Sequence, residues 1–296
     1  MKNHIMTYEG LIIRPPSEAG SLIFQLTVGC SDNGCIFCPA YKDKKFRIRE
    51  IKEVESEIIS ASKAYPDTRR IFFADGDALA VDTGKLLKIF NLSVKMFPNL
   101  RRIAAYGSVK CLENKSVAEL RELKDNKLGI VYLGFETGDD EVYKLIRKYG
   151  SVADNVQACN KLKDAGIKTN VTIVLGLGGV KYSENHAINT ARILNEAKPH
   201  QIAALTLMVV PGTVIHNMVK RGEFVIPDKY LMMRELQAII ENLEGFRCLF
   251  FANHASNYFP VSSRMPSDKN RILKQLETVI KERREDLIKP EILRDL

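Results

Sequence analysis

The sequence predicts an α/β fold, a partial (β/α) barrel of the TIM type with an N-terminal arm and a C-terminal helical extension. Short apolar runs alternate with segments of helical periodicity, an order typical of βα units and a parallel sheet. The 296 residues, 45% of them hydrophobic, are enough for one large α/β domain. We expect residues 1–20 to form the arm, 21–213 the barrel core, and 214–296 an extension with a strand on the substrate side and capping helices.

The strands are predicted where short, nearly uninterrupted apolar runs stand between turn residues. The run 130–135 is apolar at almost every position, as expected for a strand that is buried on both faces. Pro211 and Gly212 break the run that starts at Ile202. The predicted strands are 22–28, 71–74, 103–106, 130–135, 168–175, 202–210 and 247–251.

The helices are predicted where apolar residues recur every three or four positions. Asp82 is placed to cap the second helix, Gly166 to end a helix in the middle of the chain, and Pro199 to stop the one after it. The predicted helices are 51–65, 86–96, 140–148, 152–165, 184–196, 230–243 and 269–285.

The chain is basic, with a net charge of +8 and a pI of about 9.1. Such a surface suits nucleic acid, acidic proteins or anionic substrates, although a solvated lysine-rich surface is the simpler interpretation. The first residues lack the apolar core of a signal peptide, and no apolar run approaches the ~18 residues that cross a membrane. We therefore expect a cytoplasmic protein that does not bind membranes.

Three cysteines, Cys30, Cys35 and Cys38, follow the first predicted strand in the spacing C-x4-C-x2-C. Closed structural zinc sites and ordinary iron–sulfur clusters take four protein ligands, so three thiolates leave one metal position open. An open position favours chemistry over a structural role. Because the loops after barrel strands meet at the catalytic mouth, we expect the metal to lie there.

A fourth cysteine from elsewhere would close the site, and the candidates are Cys111, Cys159 and Cys248. Cys159 shares an apolar helical stripe and is most simply a core residue, while Cys248 lies within a predicted strand. Cys111 follows the third strand and is the best placed of the three. With a fourth ligand the chain would be an iron–sulfur electron-transfer or metal-binding protein without radical chemistry.

The cysteine loop resembles that of the radical SAM superfamily, in which such a triad binds a [4Fe–4S] cluster and S-adenosylmethionine occupies the open iron. The usual spacing of that family has three residues in the first gap, and this chain has four. The resemblance implies reductive cleavage of S-adenosylmethionine to methionine and a 5′-deoxyadenosyl radical. This radical would then abstract hydrogen from a substrate that the sequence does not identify.

Three later segments are similar to one branch of the family, that of the oxygen-independent coproporphyrinogen oxidases, methylthiotransferases and elongator-type enzymes. They are 134–142 after the fourth strand, 165–179 around the fifth strand, and 211–213 after the sixth. With the cysteine loop they occur in the family's order, so the resemblance extends over about 22–213. Each segment is weakly diagnostic when it is taken alone.

The resemblance also implies which residues bind the cofactor: Phe37, Asp75, Gly76, Asp77, Glu136 and Gly176. The acidic segment 75–77 would hold the methionine amino group, Glu136 the ribose hydroxyls, and the backbone at Gly176 the adenine. Each role has a plainer alternative: a turn that uses Asp and Gly, a carboxylate at a helix N-terminus, and a strand-to-helix turn, respectively.

Four polar residues follow the last predicted strand: Asn253, His254, Ser256 and Asn257. At a barrel mouth they would contact the substrate, and His254 is the catalytic candidate because imidazole transfers protons near neutral pH. A structural histidine is the alternative to that role.

The basic run 42–49 stands beside the cysteine loop, where an acidic flavodoxin or ferredoxin could dock and deliver the electron. Nucleic acid remains a possible partner but is not favoured, because we recognise no RNA-binding appendage. Neither a cobalamin module nor a second cysteine cluster is recognised, which disfavours cobalamin-dependent methylation and methylthiolation.

Overall fold

A computed structural model describes residues 6–295 of the chain. The first five residues of the predicted N-terminal arm and the last residue of the predicted extension lie outside the described range. The predicted division into arm, barrel core and extension rests on the sequence and stays a prediction.

The described residues alternate between strands and helices for most of their length. The strands are β1 Leu22–Gln25, β2 Thr27–Val28, β3 Arg47–Ile48, β4 Arg70–Ala74, β5 Arg102–Gly107, β6 Leu128–Glu136, β7 Lys168–Leu175, β8 Gln201–Thr206, β9 Cys248–Phe251 and β10 Ser262–Met265. The helices are α1 Ile51–Ala64, α2 Thr83–Met96, α3 Val109–Glu113, α4 Val117–Asp125, α5 Asp140–Leu145, α6 Val152–Asp164, α7 Gly179–Ala197, α8 Val214–Lys220, α9 Lys229–Asn242 and α10 Lys269–Lys281.

Eight of these strands belong to a mostly parallel sheet, whereas β2 and β3 form a separate antiparallel ribbon. The predicted α/β class is therefore confirmed. The described residues divide into two compact units, one made of 6–33 with 40–133 and 158–169, and the other of 34–39, 134–157 and 170–295.

The first unit contains the parallel order β1-β4-β5-β6, and β6 leaves this unit after Leu133. Its strands are apolar on both faces, as the sequence predicts. Phe72 and Phe73 in β4 are both completely buried. Phe72 packs with Ala104 and Tyr132, while Phe73 stacks on Phe90 of α2. Because the strands are parallel, their carboxyl ends lie at one edge of this sheet.

The second unit contains the order β7-β8-β9-β10, in which β9 and β10 pair antiparallel. Its apolar cluster joins strand ends to helices: Val174 and Leu207 meet Val142, Ile146 and Ile215. Here too the parallel strands bring their carboxyl ends to one edge, which supports the loops described below.

The predicted elements agree with the observed ones in order, and differ mostly at their ends. Asp82 caps α2, accepting hydrogen bonds from the N–H groups of Gly84 and Lys85 as predicted. The first predicted strand is interrupted at Leu26, because Thr27 and Val28 pair with β3. The sixth ends at Thr206 rather than at 210.

Several short elements were not predicted: β3, β10, α3, α4 and α8. The short helices α3 and α4 begin at Ser108 and Ser116, and each serine accepts a hydrogen bond from the backbone N–H three residues later. None of the helices in the described part of the chain is long and apolar enough to cross a membrane.

Candidate cofactor site

The three cysteines lie on the loop that follows β2. Cys35 is 7% exposed, while Cys30 and Cys38 are of intermediate exposure. Within residues 6–295 no disulfide involves any cysteine, so all three are thiols. Across that range, no three Cys, His, Asp or Glu side chains already stand in a metal-binding arrangement. The donor chemistry suits iron and zinc, and the identification of the ligands remains a prediction.

The start of the loop is fixed by the end of β4. Gly29, at φ 79°, donates its N–H to Asp75 Oδ2 at 2.9 Å, and its carbonyl accepts from Gly76 N at 3.0 Å. Gly76 lies close against the cysteine, since a Cβ atom at this position would be 2.6 Å from Cys30 Cβ. Asp75 and Gly76 therefore position Cys30 directly, which the sequence did not reveal.

Asp75 is a buried carboxylate at a strained backbone position. Its φ is 69°, in the left-handed region that disfavours residues other than glycine. Gln25 Nε2 donates to Oδ2 at 2.8 Å, and Lys44 Nζ lies 3.8 Å from the same oxygen. Burial raises the pKa of Asp75 despite these partners. Oδ1 is buried and lacks a hydrogen-bond partner among the described residues, so a bound ammonium would satisfy it.

Asp77 holds the residue that follows the first cysteine. Its Oδ2 accepts from Ser31 Oγ and, at 2.6 Å, from Ser108 Oγ at the end of β5. Asp77 is completely buried. The predicted segment 75–77 thus joins three strand ends of the first unit, and two of its side chains already support the cysteine loop.

The middle of the loop is anchored in the second unit through backbone groups. Ile36, between the second and third cysteines, donates its N–H to Ile146 O at 3.0 Å, and its carbonyl accepts from Ile215 N at 3.1 Å. Its side chain is 1% exposed in the apolar cluster of this unit, and Phe37 packs partly buried against that cluster. Ile36 therefore limits how far Cys35 and Cys38 can move.

Glu136 ends β6 in a second left-handed conformation, at φ 65°. Its side chain folds back over Gly134, where a Cβ atom would collide with Glu136 Oε1. Lys148 Nζ lies 3.4 Å from Oε1, and burial raises the pKa of the carboxyl. The alternative role for Glu136 is a carboxylate at the N-terminus of the helix that follows. Asp139 already caps that helix, α5.

Gly176 begins the turn between β7 and α7, at φ 87°. A side chain there would meet the movable tip of Met232, with Cε at 2.8 Å, so it is the left-handed conformation that favours glycine. Its N–H donates to Glu235 Oε2 at 2.6 Å. Glu235 lies on α9, far along the chain, and no local pattern in the sequence indicates this partnership.

Two of the four polar side chains in the loop after β9 are buried. Ser256 and Asn257 are 0% and 2% exposed. Ser256 Oγ accepts from Thr206 N at 3.1 Å, and Asn257 bonds to Thr206 Oγ1 at 2.8 Å and Ala204 O at 2.9 Å. These two side chains brace the end of β8, and a substrate would have to break such bonds to use them.

His254 and Asn253 are more accessible than their neighbours. His254 Nδ1 accepts from the backbone N–H of Ser256 at 3.2 Å, and burial, with Lys289 adding to it, lowers the pKa of the imidazole. Because Nδ1 accepts, Nε2 carries the proton in the neutral ring, the form that the lowered pKa favours. The roles of Asn253 and His254 in substrate binding and catalysis stay predictions.

The three alternative metal ligands are buried thiols. Cys159 is completely buried beside Thr169, as expected of a core residue. Cys111 Sγ donates to Ser108 O at 3.1 Å, and burial raises the pKa of this thiol well above its usual value. Burial likewise raises the pKa of Cys248 to about 12. Cys30 and Cys38, by contrast, are of intermediate exposure.

A solved structure shares this architecture. Coproporphyrinogen III oxidase from Escherichia coli, described as a radical SAM enzyme, superposes with a TM-score of 0.57 at 15% identity, over 75% of this chain and 51% of that one. At this identity the similarity shows the fold alone, and it confirms the predicted partial (β/α) barrel.

The chain is also similar in sequence to archaeal proteins. An uncharacterised protein of Methanocaldococcus jannaschii is 24% identical over 240 residues, which are 76% of this chain and 73% of that protein. The tRNA uridine(34) acetyltransferase of Methanocaldococcus infernus is 31% identical over 101 residues, 33% of this chain and 19% of the acetyltransferase. The chain thus spans about a fifth of the acetyltransferase and half of the oxidase.

The family model of the radical SAM superfamily matches residues 24–194, which is more than half of the chain. The matched range contains the three cysteines and the strand ends at Asp75, Glu136 and Gly176. The predicted resemblance is therefore confirmed, and the chain belongs to the radical SAM superfamily, whose enzymes cleave S-adenosylmethionine with a [4Fe–4S] cluster.

Proposed function

We propose that Cys30, Cys35 and Cys38 are the thiolate ligands of the [4Fe–4S] cluster and leave one iron open to S-adenosylmethionine. The observation that carries the proposal is the anchoring of the loop: Gly29 is held before the first cysteine, and Ile36 between the other two. When bound, the cluster supplies the electron that splits S-adenosylmethionine into methionine and a 5′-deoxyadenosyl radical. The residues of the chain position the cofactor and exclude water around the radical.

We further propose that the segment 75–77 receives the methionine amino group. The buried Oδ1 of Asp75 is the acceptor best suited to it, because its other oxygen and the Asp77 carboxylate hold the cysteine loop. Glu136 would contact the ribose hydroxyls, and the backbone of Gly176 would contact the adenine. Phe37, which precedes the last cysteine, would contact the cofactor beside Cys38. The left-handed backbone at Asp75 and Glu136 supports functional roles, since strain of this kind is concentrated at active sites.

The test of this function is the production of 5′-deoxyadenosine by the anaerobically reconstituted protein with dithionite and S-adenosylmethionine. We expect one molecule of methionine for each molecule of 5′-deoxyadenosine. A protein with a full cluster that binds S-adenosylmethionine but forms neither product would instead be an electron-transfer or metal-binding protein.

Radical SAM enzymes require a reductant, and we propose a flavodoxin or ferredoxin for this one. The predicted docking run needs a correction, because two of its basic residues are used internally. Arg49 is 5% exposed and pairs with Glu57, and Lys44 is 8% exposed in its side chain beside Asp75. Arg47 is exposed but pairs with Glu9. The lysines that remain exposed for an acidic partner are Lys42, whose Nζ also donates to Asn33 O at 2.6 Å, and Lys45.

Charge reversal at Lys42 and Lys45 should slow reduction by flavodoxin several-fold and leave reduction by dithionite unchanged. The difference between parent and variant should shrink as salt rises, because exposed charges are screened beyond ~10 Å at 0.1 M. The matched control is reversal of Lys95, an exposed lysine at the end of α2. If flavodoxin reduced the double variant and the parent at equal rates, residues 42–49 would not be a docking site, and their charges would simply be solvated.

We propose that Asn253 and His254 contact the substrate, with the Nε2–H of His254 able to donate a hydrogen bond to it, and with proton acceptance at Nδ1 requiring the bond from Ser256 N to open. His254→Ala should preserve cluster content and S-adenosylmethionine binding, while 5′-deoxyadenosine continues to form and substrate turnover falls at least tenfold. The ratio of 5′-deoxyadenosine to product measures this uncoupling once a substrate is found. A His254→Ala variant that loses the cluster would show that the loop is structural.

Asn257→Ala provides a contrast to His254→Ala. Removing this buried amide deletes its hydrogen bonds to Ala204 O and Thr206 Oγ1, and a buried polar group left unsatisfied costs about 1–3 kcal/mol. We therefore expect Asn257→Ala to lower the melting temperature, which would distinguish bracing residues from substrate contacts in the same loop.

We also propose that the protein acts in the cytoplasm. Its six cysteines are thiols without a disulfide among the described residues, which is the usual state in a reducing compartment.

A further inference from the structure

A buried polar cluster in the second unit joins the ends of two strands. Glu235 of α9 is 2% exposed, and both of its carboxylate oxygens are engaged. Oε2 accepts from Gly176 N and Oε1 accepts from Ser183 Oγ, each at 2.6 Å. Gly176 directly follows β7 and Ser183 lies in the first turns of α7. Glu235 thus holds both sides of the turn between β7 and α7.

The cluster continues to the end of β6 through a histidine. His186, completely buried on α7, has its Nε2 atom 3.8 Å from Glu235 Oε2. Its Nδ1 atom lies 2.8 Å from Thr137 Oγ1, and Thr137 directly follows Glu136. Burial lowers the pKa of His186 to about 4, so the imidazole is neutral at pH 7. His186 therefore hydrogen-bonds to Thr137 and lies next to Glu235, but the 3.8 Å gap is too long for a hydrogen bond, and Nε2 has no hydrogen-bond partner among the described residues.

Burying a carboxyl group at position 235 costs desolvation free energy. Its neighbours on the helix, Met232, Leu236 and Ile239, are buried and apolar, and burial raises the pKa of Glu235 to about 7. An apolar residue of similar volume would pack without this desolvation. It would, however, leave the N–H of Gly176 without an acceptor, in a turn that must stay left-handed.

We propose that Glu235 is a positioning residue for S-adenosylmethionine, holding the Gly176 turn in the conformation that receives the adenine. This inference rests on the proposed function, in which the Gly176 backbone faces the adenine. Glu235 lies outside residues 24–194, so a C-terminal helix of this chain supports the cofactor site from beyond the range shared with the family. Its role is to fix a backbone group, and it does not touch the reacting atoms.

Three variants separate positioning from plain stability. Glu235→Gln keeps an acceptor for Gly176 and a donor that Ser183 can accept. Glu235→Leu removes both interactions while keeping similar volume. Ile240→Ala, at a completely buried position of the same helix, lowers stability without touching Gly176. For each variant we would measure iron content, melting temperature, and the Kd of S-adenosylmethionine by anaerobic calorimetry on the reconstituted protein.

We expect Glu235→Leu to weaken S-adenosylmethionine binding about tenfold, the scale of one lost hydrogen bond to a charged group, with iron content near that of the parent. Glu235→Gln should stay within about threefold of the parent, and Ile240→Ala should bind normally at a reduced melting temperature. Unchanged affinity in Glu235→Leu, or an equal loss of affinity in Ile240→Ala, would overturn the proposal.

The outcomes also separate this inference from the proposed function. A parent protein that assembles a cluster but does not bind S-adenosylmethionine would contradict the function itself. A parent that binds normally, together with a Glu235→Leu variant that binds equally well, would contradict the positioning role alone. In that case the cluster around Glu235 would be a structural brace between β6, α7 and α9.

Discussion

Replacing any one of Cys30, Cys35 or Cys38 by alanine should abolish the iron–sulfur cluster. The parent should take up about four irons and four sulfides per chain on anaerobic reconstitution. With one thiolate missing, the loop has two cysteines left, and S-adenosylmethionine cleavage should fall below detection. Iron and sulfide analysis, the visible absorbance of the cluster, and 5′-deoxyadenosine formation would measure the three effects.

The matched controls are Cys159→Ala and Cys111→Ala. Both remove a buried thiol with a raised pKa, and both should retain the cluster. Loss of the cluster in Cys111→Ala, with the fold intact by circular dichroism, would make this residue a fourth ligand and revive the electron-transfer alternative. Stoichiometric zinc without sulfide in the parent would contradict the cluster altogether.

Gly76→Ala should damage the same site without removing a ligand. The new Cβ atom would lie 2.6 Å from Cys30 Cβ, 3.0 Å from Cys30 Cα and 3.0 Å from Tyr41 Cε2, and rotating a side chain cannot relieve the crowding against the Cys30 backbone. Overpacking of this kind costs about 1–3 kcal/mol, and here the movable element is the cysteine loop. We expect cluster content to fall by more than half and S-adenosylmethionine affinity to fall at least tenfold.

Gly84→Ala provides the comparison, because Gly84 is exposed in the first turn of α2 and its new Cβ atom would lie 3.2 Å from the Asp82 carboxylate. It should leave the cluster and the cofactor affinity unchanged. Normal cluster content and affinity in a folded Gly76→Ala protein would show that Cys30 has room to shift, and that the close packing of β4 against the loop is not needed for assembly.

The order of strands and helices could be read from the sequence because the strands are uninterrupted apolar runs. Runs such as Ile71–Ala74 are buried on both faces, so composition alone marks them. The two-residue strands of the β2–β3 ribbon could not be predicted in this way, since Arg47 and Ile48 are exposed and carry no pattern. Short helices such as α3 and α8 give too few turns for periodicity to show.

The candidate site was predictable as a set of residues and much less as a set of contacts. Spacing identified the cysteines, and strand ends identified Asp75, Glu136 and Gly176. Nothing local in the sequence indicates that Ile36 is anchored through its backbone, or that Glu235 holds Gly176 across 59 residues. Such contacts depend on tertiary packing. The same holds for Lys44, which composition places on the surface and the structure places beside Asp75.

The left-handed backbone at Asp75 and Glu136 has a consequence for how this protein can change over time. A residue other than glycine in that region costs about 1–3 kcal/mol. At position 75 glycine would relieve this strain but would leave the buried N–H groups of Gly29 and Gln25 without the acceptor that Asp75 provides, so the two effects oppose each other. At position 136 glycine would relieve the strain at the loss of the ion pair with Lys148 and, on the role proposed above, of a cofactor contact. Selection for stability and selection for catalysis therefore act in opposite directions at position 136.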